Sequence, residues 1–298
     1  MFRSEKRSPF TKKGRCTMEN KKTIVNQVSF SKVSGKLATL HRVLEEAGLT
    51  YNDLQVPIDD PKFRERLVSF WLTKGFQPSI SQEIARVIMG KNYYGSINWA
   101  KDFGVNFTKK QLREIEKFPY NEDILNGPCP FYKGKMVKDT HFAFLGLSQI
   151  NGDPLSIVKW QEICPAPGQL RFYRYADAWY IREEFVNKSI CKYKWYLMPL
   201  EIIPDSTSKT FDQQKAMLSA EYEVPSAIEE ITKHVLYYKK NGIYLNQTKY
   251  GRCQDISSHG HRLNVGYSDP DGLNVYNYSD DYVSDHLGLA ASRKEVQS

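Results

Sequence analysis

Asn126-Gly127-Pro128-Cys129-Pro130 divides this chain in two. A glycine and two prolines so close together cannot continue a helix. Upstream, apolar residues recur at helical spacing between recognisable start and stop signals. Ser34 is placed to cap a helix carrying Leu37, Leu40, Val43 and Leu44, ended by Gly48. Asp60-Pro61 opens another, with Phe63, Leu67 and Phe70 on one side and Gly75 after it. Ser79-x-x-Gln82 has the capping-box pattern before Ile84, Val87 and Ile88, and Gly90 closes that helix. A short helix is expected over Ser96–Gly104, and Thr108-x-x-Gln111 starts one that turns Leu112, Ile115 and Phe118 inward.

Downstream the period changes. Phe142 and Phe144 alternate with smaller residues, and Ile157 to Ile163, Leu170 to Tyr175 and Tyr193 to Leu197 read as strands. Thr210-x-x-Gln213 opens a short helix. A longer one starts near Pro225, carries Ala227, Ile231, Val235 and Tyr238, and stops at Gly242. Arg262 to Tyr267 and Leu287 to Ala291 alternate again, and Asp269-Pro270-Asp271-Gly272 is a tight turn. The fold class is therefore α+β: a small helical domain over 36–126, after a flexible basic arm over 1–35, followed by an α+β domain over 131–298.

Composition narrows the class. The net charge is +8, and part of it comes from Arg3, Lys6, Arg7, Lys12, Lys13 and Arg15, ahead of a second possible start at Met18. Without that leader the charge argues only weakly for nucleic acid. The five cysteines (Cys16, Cys129, Cys164, Cys191, Cys253) are scattered, with no C-x-x-C pair, which fits a reduced chain without a disulfide framework or structural zinc. No apolar run is long enough to span a membrane, and the leader has no apolar core of a secretory signal. A cytoplasmic location is the expectation, with export or surface display by another route left open.

Catalytic motifs are sparse. There is no P-loop, no G-x-G-x-x-G after a strand and no G-x-S-x-G elbow. A Cys–His pair would have to come from Cys164 or Cys191 with His141 or His234, and no spacing selects one. His259 and His261 form an H-x-H near Asp255, Asp269, Asp271 and His286, without the helical spacing that would strengthen a metal site. No cofactor and no metal are expected, and the chain is read as a non-enzyme. The helices at Ser96–Gly104 and Thr108–Phe118 have the small residue (Ala100) and turn glycine (Gly104) of a helix-turn-helix, with Lys109, Lys110 and Arg113 available to phosphates. Lys110, however, falls where that motif wants a buried apolar residue.

Residues 271–288, DGLNVYNYSDDYVSDHLG, differ from the rest. Leu273, Val275, Val283 and Leu287 supply a scaffold pattern, and Asn, Tyr, Ser, Asp and His fill the gaps. That mixture of rigid rings and adaptable hydrogen-bonding groups is the one paratopes use. The chain as a whole carries 19 tyrosines. Asn, Asp, His and Tyr codons also differ only at the first base, and Ser is one base from Asn. Asn codons mutated at adenines would generate this set.

Two resemblances follow from these residues. IMGKNYYG (88–95), KDTHF (138–142), DAWY (177–180), STSKTFDQQKAMLS (206–219), DGLNV (271–275) and LGLAASRK (287–294) resemble a family of uncharacterised proteins abundant in candidate-phylum bacteria. That resemblance carries no activity. The C-terminal stretch is similar to the variable region of proteins diversified by diversity-generating retroelements, with Asp285 to Lys294 resembling their fixed closing segment. It implies a C-type-lectin-like domain and a variable region over 260–294, although a G-G-S-W-type motif is missing. It also implies a ligand-binding surface made of Asn274, Tyr276, Asn277, Tyr278, Ser279, Asp280, Tyr282, Ser284, Asp285 and His286. The partner would be a protein or other surface ligand. The alternative is a nucleic-acid-binding protein that uses the helical domain and the basic arm.

Overall fold

The computed structural model describes residues 30–72, 75, 78–166, 169–173 and 179–295. The basic arm lies outside them up to residue 29. The chain forms two compact units, Met1–Arg64 and Glu65–Ser298.

The described part of the first unit holds α1 (Phe30–Glu46), α2 (Tyr51–Asp59) and the start of α3 (Pro61–Leu72). Local chemistry fixes their ends. Gly48 takes a positive φ of 94° after α1. Asp60 Oδ1 accepts from the backbone N–H groups of Lys62 and Phe63, which capped α3 needs. The stripe expected to face inward on α1 is exposed instead: Leu37 is 60% and Val43 48% accessible.

In the second unit α4 (Ile80–Met89) begins as expected, with Ser79 Oγ accepting from the Gln82 N–H. Its inward face is not the expected one. Gln82, Ala85 and Met89 are buried, while Val87 is exposed. Gln82 donates through Nε2 to the carbonyls of Ile115 and Glu116, so a polar residue fills a core position that hydropathy assigns to an apolar one. There follow β1 (Tyr93–Tyr94), α5 (Ser96–Phe103), closed by left-handed Gly104, and α6 (Lys109–Glu114), started by the Thr108–Gln111 capping box. Leu112, Ile115 and Phe118 are buried as the spacing requires.

The chain continues through α7 (Glu122–Asn126), α8 (Val137–Thr140), β2 (His141–Leu145), β3 (Gln149–Ile150) and β4 (Asp153–Pro154). Next come α9 (Ile157–Ile163), α10 (Glu184–Lys188), β5 (Trp195–Pro199), α11 (Phe211–Lys215) and β6 (Tyr222–Glu223). The long α12 (Ala227–Asn241) leads to β7 (Tyr250–Ile256), β8 (Arg262–Asp269), β9 (Gly272–Tyr278), β10 (Leu287–Leu289) and β11 (Ser292–Arg293).

Three sequence expectations need correction. Ile157 to Ile163 is a helix, because Ser156 Oγ accepts from the Lys159 N–H and Ile157 and Trp160, one turn apart, are both buried. Leu170 to Tyr175 contributes only an isolated bridge between Phe172 and Leu273, and residues 174 and 175 lie outside the described residues. The domain boundary falls within α3, not at 126–131. Tyr93 and Tyr94 of the helical stretch pair in parallel with Ala143 and Phe144 of β2, and Trp195 Nε1 donates to the Ile115 carbonyl, so helices and sheets share one core.

The observed class is mixed α and β, with helices first and the larger sheet toward the C-terminus. Beside the two-stranded pairs β11-β6 and β3-β4, the two larger sheets have the orders β1-β2-β5 and β10-β7-β8-β9, and in the latter β10 runs parallel to β7 and the remaining pairs are antiparallel. Helix α12 touches strands of both larger sheets and is buried along most of its length. No helix among the described residues is long and apolar enough to cross a membrane.

Candidate functional site

Register decides which face of the larger sheet can act. Leu273 and Val275 of β9 and Leu263 and Val265 of β8 are fully buried in the main core. Strand side chains alternate, so Asn274, Tyr276 and Tyr278 point the opposite way. On that face Tyr276 lies in the row of Asn264 and Arg252, and Asn274 in the row of Gly266 and Tyr250.

The rings gather there. Tyr278 and Tyr282 stack with centroids 4.4 Å apart and planes 9° apart. Tyr276 lies 5.0 Å from Tyr278, and Tyr250 4.7 Å from Tyr267. His286 stands about 6 Å from Tyr250, Tyr267 and Tyr278, joining the two groups. Aromatic pairs in such tilted and offset arrangements stabilise one another by about 0.5–1.5 kcal/mol beyond area burial. The cluster is partly exposed, and Tyr282 is 41% accessible.

A bulge makes room for it. Pairing slips between Gly266 and Asp269, and Tyr267 sits at φ 45°, a conformation that an aromatic residue adopts only under constraint. Asn274 Nδ2 donates to the Tyr267 carbonyl and the Lys249 carbonyl accepts from the Tyr267 N–H, which hold the kink. A Cβ on Gly266 would lie 2.1 Å from the Lys249 carbonyl oxygen. Gly266→Ala should therefore push β7 and β8 apart and cost about 2–3 kcal/mol, measured by thermal or urea unfolding.

Residues 279–286 close over the face, and the main chain fixes them. The carbonyls of Ser279 and Tyr282 accept from Arg252 Nη2, that of Asp280 from the Phe211 N–H, and that of Ser284 from the Ser208 N–H. The carbonyl of Asp285 accepts from Lys249 Nζ and that of His286 from the Tyr250 N–H. All these donors lie outside the segment. Arg252 is fully buried and also donates through Nη1 to the Lys209 carbonyl and to Gln214 Oε1. Burial pulls its guanidinium below the ordinary range, partly offset by Asp280. Arg262 lies 3.5 Å over the Phe211 ring and forms a two-point pair with Asp280.

The ten residues singled out from sequence thus divide. Tyr276, Tyr278, Tyr282 and His286 join the aromatic face. Ser279 and Asp285 are exposed beside it in the closing loop. Asp280 is tied to Arg262, and Ser284 Oγ is 2.6 Å from His286 Nδ1. Asn277 belongs to the other side of β9, where its Oδ1 meets His261 Nδ1 at 2.9 Å. Asn274 is nine-tenths buried and braces the bulge, so it is not a display position. Sequence reading missed Tyr250 and Tyr267, which lie outside the polar segment. Their signal was the tyrosine spacing on β7 and β8, legible only once the register is known.

Other constellations stay apart. His259 is exposed near Glu183, away from the His261–Asn277 contact, and no group of three or more His, Cys, Asp or Glu is placed to hold a metal among the described residues. His141 contacts Thr140 and Tyr222, while Cys191 contacts Thr232 and the Ile228 carbonyl, so neither forms a Cys–His pair. A separate concavity of about 520 Å³ is lined by Asp102, Phe103, Cys164, Leu170, Tyr238 and Lys239, among others. Burial pushes the Cys164 thiol up to about 11, so it stays protonated at neutral pH. Helix α6, the second of the helix-turn-helix pair, is only six residues long, though Lys109, Lys110 and Arg113 are exposed on it.

Comparison with protein-family models, with curated proteins and with solved structures finds no match.

Proposed function

We propose that this chain is a non-enzymatic ligand-binding protein that presents the aromatic face of its larger sheet to a protein or other surface ligand. We further propose that it is the variable target of a diversity-generating retroelement, with a C-type-lectin-like C-terminal domain. The observation that carries this reading is the way residues 279–286 are held. Six successive anchor points are main-chain carbonyls, and their donors come from Ser208, Phe211, Lys249, Tyr250 and Arg252. A loop fixed through its backbone can change most of its side chains without losing its shape. That is the property a diversified surface needs, and a rigid surface also loses less entropy on binding.

Two experiments test the reading. Sequencing the gene's surroundings should find a near-copy of codons 260–294, differing at adenines, beside a reverse transcriptase gene. Independently, Tyr278→Ala with Tyr282→Ala should weaken binding of a selected ligand about a hundredfold while lowering the unfolding midpoint by only about 5 °C, because paired aromatic anchors dominate such surfaces. Unchanged affinity in that double variant would remove this face as the site. The alternative, nucleic-acid binding through Lys109, Lys110 and Arg113, predicts a steep salt-dependent mobility shift with DNA.

A further inference from the structure

The charge around the aromatic face runs against that of the chain. From Leu263 to Ser292 there is no Lys or Arg, yet the stretch contains Asp269, Asp271, Asp280, Asp281 and Asp285, in a chain of net charge +8. Three of these carboxylates have internal duties, Asp271 lying 3.9 Å from the Arg171 guanidinium. Asp280 pairs with Arg262, and Asp269 Oδ1 accepts from the N–H groups of Asp271 and Gly272 in the turn. Asp281 and Asp285 are exposed in the closing loop, Asp281 next to Tyr282 and Asp285 next to His286, and Asp285 is 92% accessible. Among the described residues, three cations nearby point elsewhere. Arg252 is buried beneath the loop, Arg262 is spent on Asp280 and Phe211, and Lys249 Nζ donates to the Asp285 carbonyl.

The face therefore combines tyrosine rings, whose π faces are negative, with two exposed carboxylates. Beneath the rings, Asn264 is fully buried in the row of Arg252 and Tyr276, and neither its Oδ1 nor its Nδ2 has a hydrogen-bond partner in the described structure. That amide is sealed below the face, out of a ligand's reach, so the face itself is made by the rings and the carboxylates. A guanidinium suits both the rings and the carboxylates: it stacks flat on an aromatic ring, pairs with carboxylates through two N–H groups, and remains charged at any working pH.

Resting on the binding reading above, we infer that the face takes a cationic polypeptide segment and recognises it chiefly through arginine. Asp281 and Asp285 supply the charge, and the Tyr278–Tyr282 pair supplies the stacking surface.

The test is a selection of random phage-displayed peptides on the full chain, followed by affinity measurements with the synthetic winners and with nona-arginine. The expected winners are arginine-rich. Their affinity should fall about tenfold in Asp281→Asn with Asp285→Asn, both exposed positions that leave the fold alone, and severalfold when lysine replaces arginine. Rising salt should weaken them further. Neutral or acidic winners that depend on Tyr278 and Tyr282 would overturn the arginine inference and leave the binding face standing. Basic winners indifferent to the two aspartates would also overturn it. Winners indifferent to both tyrosines would remove the face itself. An empty selection, with nona-arginine failing to bind as well, counts against the inference.

Discussion

Arg252→Met is expected to lower the unfolding midpoint by on the order of 10 °C and to release the 279–286 loop. The guanidinium is fully buried and donates to the carbonyls of Lys209, Ser279 and Tyr282 and to Gln214 Oε1. Methionine fills much of the same volume but offers no donors, leaving buried acceptors whose desolvation costs about 1–3 kcal/mol apiece. Partial rescue by water and loop movement brings the expected loss to about 4 kcal/mol. Differential scanning fluorimetry reads the stability, and hydrogen exchange should show faster exchange confined to the loop and its neighbours. A loop that keeps its protection in the variant would mean that Ser208, Phe211 and Tyr250 hold it without the arginine.

Lys233→Met is expected to be nearly as damaging, for a different reason. On α12 the fully buried Lys233 Nζ lies 2.7 Å from Glu230 Oε1 and donates to the Pro199 carbonyl at 2.9 Å. His234 Nε2 is 3.4 Å from the same carboxylate. Burial opposes ionisation of Glu230, but Lys233 first and then His234 outweigh it and hold its carboxyl below the ordinary range. Removing the lysine strands a buried carboxylate, at a cost of about 3–5 kcal/mol, whereas Glu230→Leu with Lys233→Met should restore most of it. The pH dependence has a definite sign. In the native chain the lowered Glu230 group contributes stability that is present above its unfolded value and lost as pH falls. In the single variant burial raises the group, so the penalty shrinks as pH falls. The stability gap between native and variant should therefore narrow from pH 8 toward pH 4 in urea titrations. A gap independent of pH would show that packing, not charge, sets the cost.

Much of the helix punctuation was legible in sequence because capping is local. Ser79, Thr108, Thr210, Gly104 and Gly242 all act within a turn of their own helices. What failed was non-local. Ile157 to Ile163 is rich in β-branched residues and reads as a strand, yet Trp160 Nε1 reaches Thr232 of α12 and fixes it as a buried helix turn. The boundary at 126–130 looked like a domain break because prolines interrupt helices there. The pairing of Tyr93 and Tyr94 with β2, which joins the two sides, depends on residues about fifty positions apart. The site was half legible for the same reason. The composition of 271–288 located Tyr276, Tyr278, Tyr282 and His286. It could not reveal that Asn274 turns to the Tyr267 carbonyl, or that Tyr250 and Tyr267 stand beside them.

Strand β10 pairs with β7, β11 pairs with β6, and Tyr120 Oη donates to the Arg293 carbonyl. Residues 287–293 are thus partners to segments made much earlier during synthesis. A nascent chain paused before residue 287 can assemble the antiparallel ribbon of 250–278 and the main-chain anchors of 279–286, but the outer edge of β7 has no strand beside it. Sequence-distant pairing of this kind is slow and leaves apolar edges open to aggregation. The arrangement has a compensating benefit. Once residues 287–293 have docked, β10 covers the edge of β7 and β11 pairs with β6, so the sheet that carries the aromatic face no longer offers that edge to another chain.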